Sequence, residues 1–265
     1  MTTSSSSTSS TYHVESLARG LSVLSSFSEE RPTLSLTDIT HILNLNKTTA
    51  YRLLSTLESL GYLHRDQETK RYRPSLEVLR LGFVVLGGME VKQVAAPYLR
   101  ELVEEVEETV NLAVLDNNEV VYIDRVGSKH MLNVNRPLGS RLPAYCTSTG
   151  KSLLAFLLPE ALETVLATTT WRNLTPTTLI TPEALQENLA LVRKRGFADS
   201  NGEMIPELRA VAAPIRQNGG QVVAAVNISV PSHRVSYETL IAEFGPKVLS
   251  ASQKISQALG YNPNR

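Results

Sequence analysis

The 265-residue sequence holds one cysteine, Cys146, and one tryptophan. A single thiol cannot close an intrachain disulfide or build a thiolate metal cage. There is no excess of either charge: 26 Lys and Arg balance 26 Asp and Glu, and the pI is near 7.0. A global polycation is excluded, so any contact with a polyanion has to come from a local patch. No apolar run reaches the roughly 18 residues of a membrane span, so no membrane partner is expected. There is no internal repeat and, beyond the first twelve residues, no low-complexity segment. The start carries ten Ser or Thr after Met1, without the basic start and apolar core of a secretory signal. Residues 1–12 are therefore expected to be a disordered tail, and the protein to be cytoplasmic. At 42% hydrophobic and 20% charged residues, the remainder has the composition of a soluble globular chain. Its length suggests about two domains at roughly 150 residues each.

Residues 13–75 have a helical pattern closed by a strand-like pair. Val14, Leu17, Ala18, Leu21, Leu24 and Phe27 recur at the spacing of a buried helical stripe. Ser35 followed by Asp38 is an acidic variant of the capping box, opening a short helix with Leu36, Ile39, Ile42 and Leu43 on one side. Asn44-Leu45-Asn46 reads as a tight turn: Asn44 suits a left-handed helix stop and Asn46 an N-cap. A third helix, from about Lys47 to Leu60, is expected to have Ala50, Leu53, Leu54, Leu57 and Leu60 as its buried stripe. Residues 62–65 and 70–73 then form a hairpin. The spacing predicts a winged helix-turn-helix.

At about 100° per residue, the face of the third helix opposite the leucines carries Thr48, Arg52, Ser55 and Ser59, flanked by Thr49 and Tyr51. Arginine pairs bidentately with guanine, and a threonine methyl packs on thymine. Lys47 and Thr48 open the helix, where its N-terminus attracts phosphate. Between Leu45 and Arg73 six bases, Lys47, Arg52, Arg65, Lys70, Arg71 and Arg73, face three acids. The expected partner is double-stranded DNA, contacted by these residues and by Ser35; a solvated face on a protein-binding helical domain is the alternative.

Residues 76–90 form a short apolar linker helix stopped by Gly87-Gly88. From 91 onwards an amphipathic helix, two hairpins (turning at Asp116-Asn117-Asn118 and Gln217-Asn218-Gly219-Gly220), a strand at 131–135 and a last helix from Tyr237 to Leu259 are expected. Together they predict an α+β domain with an antiparallel sheet and helices mainly on one face. Thr149-Gly150-Lys151-Ser152 resembles the end of a phosphate-binding P-loop, but Tyr145 stands where its first glycine belongs. Small hydroxyl residues opening a helix suit a small carboxylate ligand, or simply cap the helix. No cofactor or metal is implied. Cys146 and His130 are a conceivable nucleophile and base, without supporting context. There is no G-x-S-x-G elbow, so no catalytic residue is expected.

Along nearly its whole length the chain resembles the IclR-type transcriptional regulators. The resemblance is carried by Val14-Glu15-Ser16-Leu17-Ala18-Arg19-Gly20-Leu21, the segment Leu45 to Leu54, Pro137-Leu138-Gly139-Ser140-Arg141-Leu142-Pro143 and Thr149-Gly150-Lys151. Gly196, Ser200, Glu203, Ala210, Val211, Ala212 and Ile215 carry it further. Arg216 and Gln217 depart from the pattern, and Ser200 stands where relatives often carry Asp. The resemblance implies an N-terminal winged helix, a linker helix and a C-terminal GAF/PAS-like effector-binding domain (residues 91–265). It also implies dimers or tetramers on palindromic operators. The implied effector pocket holds Met131, Leu142, Ser148, Thr149, Ser200, Leu208, Ala210, Asn227 and Ser229. The opening segment and Leu142 to Ser148 also resemble the branch controlling protocatechuate and 4-hydroxybenzoate breakdown. A small aromatic or dicarboxylic acid is the expected effector, with Arg125, His130, Arg141 and Tyr145 as further candidates to hold it. The expected function is a ligand-responsive regulator of a catabolic operon. The alternatives are an enzyme with a winged-helix appendage and a ligand-free DNA-binding or interaction protein.

Overall fold

The computed structural model describes residues 13–28, 30–128 and 137–262. The Ser/Thr tail, His130, Met131 and the strand expected at 131–135 lie outside the described residues. The chain divides between Gly88 and Met89 into two compact units.

The first unit contains α1 (Glu15–Ser25), α2 (Leu36–Leu43), α3 (Lys47–Ser59), β1 (Leu63–Arg65), β2 (Tyr72–Pro74) and α4 (Leu76–Gly87). The capping box forms: the Asp38 amide donates to Ser35 Oγ at 3.1 Å and the Ser35 amide to Asp38 Oδ2 at 2.8 Å. Asn44 takes the left-handed conformation with φ 49°, and Asn46 Oδ1 accepts from the Thr49 amide at 2.8 Å. Three residues thus separate α2 from α3 by the chemistry expected of them. β1 and β2 pair antiparallel, and Leu34 adds a bridge to Tyr72. The core is Val23, Leu34, Ile39, Ala50, Leu54, Leu63 and Tyr72.

The α1 stripe does not bury as its spacing implied. Leu17 is 62% exposed and Leu21 55%, and Val23, outside that stripe, is the buried residue. Periodicity identifies an apolar face but not what covers it. Here Leu17 and Leu21 line a groove with Leu53, Leu57 and Leu60 of the first unit. α4 behaves similarly: no residue is buried, and Leu76, Phe83 and Val84 are strongly exposed.

The second unit contains α5 (Glu90–Val106), β3 (Thr109–Asp116), β4 (Glu119–Val126), β5 (Arg141–Pro143), a single turn of 3-10 helix (Ala144–Cys146) and α6 (Ser148–Leu154). It continues with α7 (Pro159–Thr168), α8 (Pro182–Arg195), β6 (Ala198–Asn201), β7 (Leu208–Arg216) and β8 (Val222–Pro231). It ends with a short α9 (Tyr237–Thr239), a π-helical turn and α10 (Gly245–Ala258). The antiparallel sheet runs β5-β4-β3-β8-β7-β6. Helices cover both of its faces, not mainly one: α6 packs on one, with α8 against it, while α5 and α10 pack together on the other. The strands show why. Along β7, Ala210 to Ile215 are buried without interruption, the pattern of a strand covered twice.

Among the described residues no helix is long and apolar enough to cross a membrane.

Candidate nucleic-acid interface and ligand cavity

On α3 Leu53, Leu54 and Leu57 face the core, but Leu60, at the C-cap, is 61% exposed against the expectation of burial. Lys47, Thr48, Tyr51 and Arg52 are exposed and Thr49 and Ser55 half-buried. The Asn46 cap orients the first turn, so Lys47 and Thr48 stand at its open end. Arg52 also lines the groove shared with α1. On the wing, Lys70 and Arg73 are exposed, and Arg65 lies over the Tyr72 ring at 5.5 Å.

Two of the expected DNA contacts have work inside the fold. Arg71 donates to the Thr33 carbonyl at 2.9 Å, Thr33 Oγ1 at 3.0 Å and Asp38 Oδ2 at 3.0 Å. It braces the wing against the start of α2. Ser35 supplies the capping hydroxyl itself. Bonds from the Ser35 amide and hydroxyl, helped by Arg71, hold the Asp38 carboxyl below its ordinary range.

In the second unit a cavity opens between the sheet and the start of α6. It offers about 50 Å³ to the centre of a water molecule, room for a few waters at roughly 10–15 Å³ each. Leu142, Ser148, Ser200, Leu208, Ala210, Asn227 and Ser229 line it as expected, and so does Arg125. Asn111, Tyr122, Cys146, Thr147, Met204 and Ile205 complete the lining. Of these, Asn111 was within reach of strand alternation once the β3–β8 pairing was known. Met204 and Ile205 sit in an irregular segment with no periodic signal.

Three candidates do not line the cavity. Tyr145 is buried away from it: its hydroxyl donates to the Arg172 carbonyl at 3.0 Å and its ring packs on Trp171. Thr149 is fully buried one residue further into α6, where a helical step of about 100° turns it from the face that Ser148 presents. Arg141 is tied to Asp116 at 2.6 Å and Glu119 at 2.7 Å, on the sheet edge.

The P-loop-like tetrapeptide has a packing explanation. A Cβ on Gly150 would lie 2.1 Å from the Ala144 carbonyl oxygen, so α6 and the preceding turn touch through bare backbone. Lys151 is fully buried and meets Glu203 Oε1 at 2.5 Å. Glu203 in turn accepts at its backbone carbonyl from Thr175 and Thr178. Burial pushes the Glu203 carboxyl up against the pull of Lys151. At Asp199 burial pushes up too, but Lys151 and Arg195 hold it below the usual range. The pair fastens α6 to the segment that carries Met204 and Ile205.

A winged helix-turn-helix and a separate α+β unit with a buried polar cavity define the class of a two-domain bacterial transcriptional regulator. The sequence profile of the IclR helix-turn-helix domain matches residues 16–67, and that of the bacterial transcriptional regulator IclR C-terminal domain matches residues 83–257. The HTH-type transcriptional regulator XynR of Escherichia coli K12 is 33% identical, over 94% of this chain and 98% of its own. A transcriptional regulator from Rhodococcus sp. RHA1 superposes with a TM-score of 0.80 at 35% identity, over 94% of this chain and 99% of its own. An IclR homologue from Microbacterium hydrocarbonoxydans, solved with 4-hydroxybenzoate, has a TM-score of 0.77 at 28% identity, over 93% and 99%. The chain belongs to the IclR family, and it is a transcriptional regulator rather than an enzyme.

Proposed function

We propose that the protein is a cytoplasmic, ligand-responsive regulator of a catabolic operon. The first unit binds a double-stranded operator through α3 and the wing, and the second binds a small organic acid in the cavity. The observation that carries the ligand half is the cavity itself: Ser148 is one of its lining residues, 2% exposed, and its hydroxyl has no hydrogen-bond partner among the described residues. A buried hydroxyl without a partner costs about 1–3 kcal/mol, which a polar ligand relieves. The DNA half rests on the exposed polar face of α3. Lys47, Thr48, Thr49, Tyr51, Arg52 and Ser55 would meet the groove, while Arg65, Lys70 and Arg73 would meet phosphate.

An aromatic acid is one sub-class of effector. It is supported by the resemblance of the Leu142 to Ser148 segment and by the relative solved with 4-hydroxybenzoate. A dicarboxylate is the other. The apolar faces of α1 and α4 support a homodimer or homotetramer in which a second copy covers them. Ligand binding then changes operator affinity by favouring one dimer geometry over another. The test is operator binding by fluorescence anisotropy with and without protocatechuate, 4-hydroxybenzoate or 2-oxoglutarate. A shift in operator affinity with one of them, matched by calorimetric binding, supports the reading. Silence from all three in both measurements ends the aromatic or dicarboxylic assignment.

A further inference from the structure

The strand registers align the polar groups of the cavity into rows. Arg125 pairs with Asn111 across β4 and β3, and Asn111 with Asn227 across β3 and β8. A guanidinium and two carboxamides therefore stand in line at the roughly 4.8 Å spacing of neighbouring strands. The next row on the same face holds Ser229, opposite Ala210, which is opposite Ser200. Asn111 and Asn227 are 5% and 3% exposed and both line the cavity.

The hydrogen bonding of the two amides is incomplete in an informative way. Asn111 Nδ2 donates to Asn227 Oδ1 at 2.8 Å and approaches Ser229 Oγ at 3.4 Å. Whichever way the amides are turned, the pair uses one donor group and one acceptor. It leaves a carbonyl oxygen that only accepts and an NH2 that only donates, side by side. A hydroxyl satisfies both at once, and a carboxylate cannot. Among the described lining residues Arg125 is the one charged side chain and none is a carboxylate.

We infer that the cavity selects a hydroxylated monocarboxylate, its carboxylate on Arg125 and its hydroxyl between Asn111 and Asn227. This rests on the cavity being the effector site and narrows the small organic acid proposed above. A dicarboxylate sets a second acceptor-only anion against the Asn111 oxygen. An unsubstituted acid leaves that oxygen buried without a partner. Leu142, Met204, Ile205 and Leu208 give the carbon skeleton an apolar wall, whether aliphatic or aromatic.

Calorimetry on the full chain with two matched sets tests this: propionate, glycerate and malonate, and benzoate, 4-hydroxybenzoate and terephthalate. In at least one set the hydroxylated acid is expected to bind about tenfold or more tightly than its two companions, from the cost of a buried unpaired polar group. Asn111→Leu should remove that margin, and Arg125→Gln should weaken every acid of the set. Asn227→Ser carries the same test from β8 if Asn111→Leu does not fold. An unsubstituted or dicarboxylic member binding as tightly overturns the selection and leaves the organic-acid reading standing. So does a margin that survives both amide variants. Binding of none removes the organic-acid reading, and this inference with it.

Discussion

At the scale of single residues, the basic side chains of the first unit divide by what they already touch. Arg73 is exposed, so Arg73→Ala should flatten the salt dependence of DNA binding by about one unit for every sequence and leave stability alone. Arg71 has three partners in the fold. Arg71→Ala should instead loosen the wing and α2 by about 1 kcal/mol, since the guanidinium is partly exposed and its ion pair is screened. Hydrogen exchange at the α2 amides, compared between the two variants, separates these outcomes; equal protection in both would place Arg71 on the phosphate instead. Gly150 is a case of close approach. Gly150→Ala forces a Cβ into the Ala144 carbonyl and should cost about 3 kcal/mol. The packing of Trp171 on Tyr145 makes its fluorescence the readout.

At the scale of elements, the capping box and the Lys151–Glu203 pair behave differently with pH and mutation. The Asp38 carboxyl is held low, so its charged form contributes stability that is present above the unfolded carboxylate range and is lost as pH falls through the folded value. Exchange protection of α2 should fall on acidification in the wild type and much less in Asp38→Asn. Lys151→Met leaves Glu203 buried without its cation and should cost about 3–5 kcal/mol, whereas Lys151→Met with Glu203→Leu should recover most of it. A double variant no better than the single would mean that the pair organises more than its own charge.

The same elements show what was readable beforehand. α2, α3, the wing and both hairpin turns rest on local chemistry, such as the Ser35–Asp38 spacing, Asn44, Asn46 and Gly219-Gly220, and local chemistry is written in neighbouring residues. Seven cavity positions were reached by resemblance. Asn111 was missed because its place in the cavity lining comes from a strand partner, Asn227, 116 residues away. Tyr145 was misplaced because a single helical turn decides which way its side chain leaves the backbone. The α1 stripe was legible as apolar, but Leu17 and Leu21 lie outside the unit's own core.

At the scale of the whole molecule, zero net charge beside a local excess of bases makes DNA binding a property of one unit. Apolar residues are left open on α1 and α4, the surface that a second copy would cover in the oligomer proposed above. Phe83, 63% exposed, should matter for association and not for folding. Phe83→Glu should shift the sedimentation profile to a smaller species while the second unit keeps its Trp171 signal. An unchanged profile would show that α4 is not part of the interface. A dimer reads two half-sites, so a selected operator should be a palindrome with half-sites about 34–36 Å apart or a multiple of that.

The proposed reader of the operator is α3, and one titration tests this most directly. A duplex selected from a random pool by the wild-type chain is titrated by anisotropy against a scrambled duplex, with wild type and Arg52→Ala at matched salt. Arg52→Ala should lose about 1–3 kcal/mol on the selected duplex, little on the scrambled one, and relax the preference at one base position. Unchanged affinity and unchanged preference would contradict α3 as the reading element.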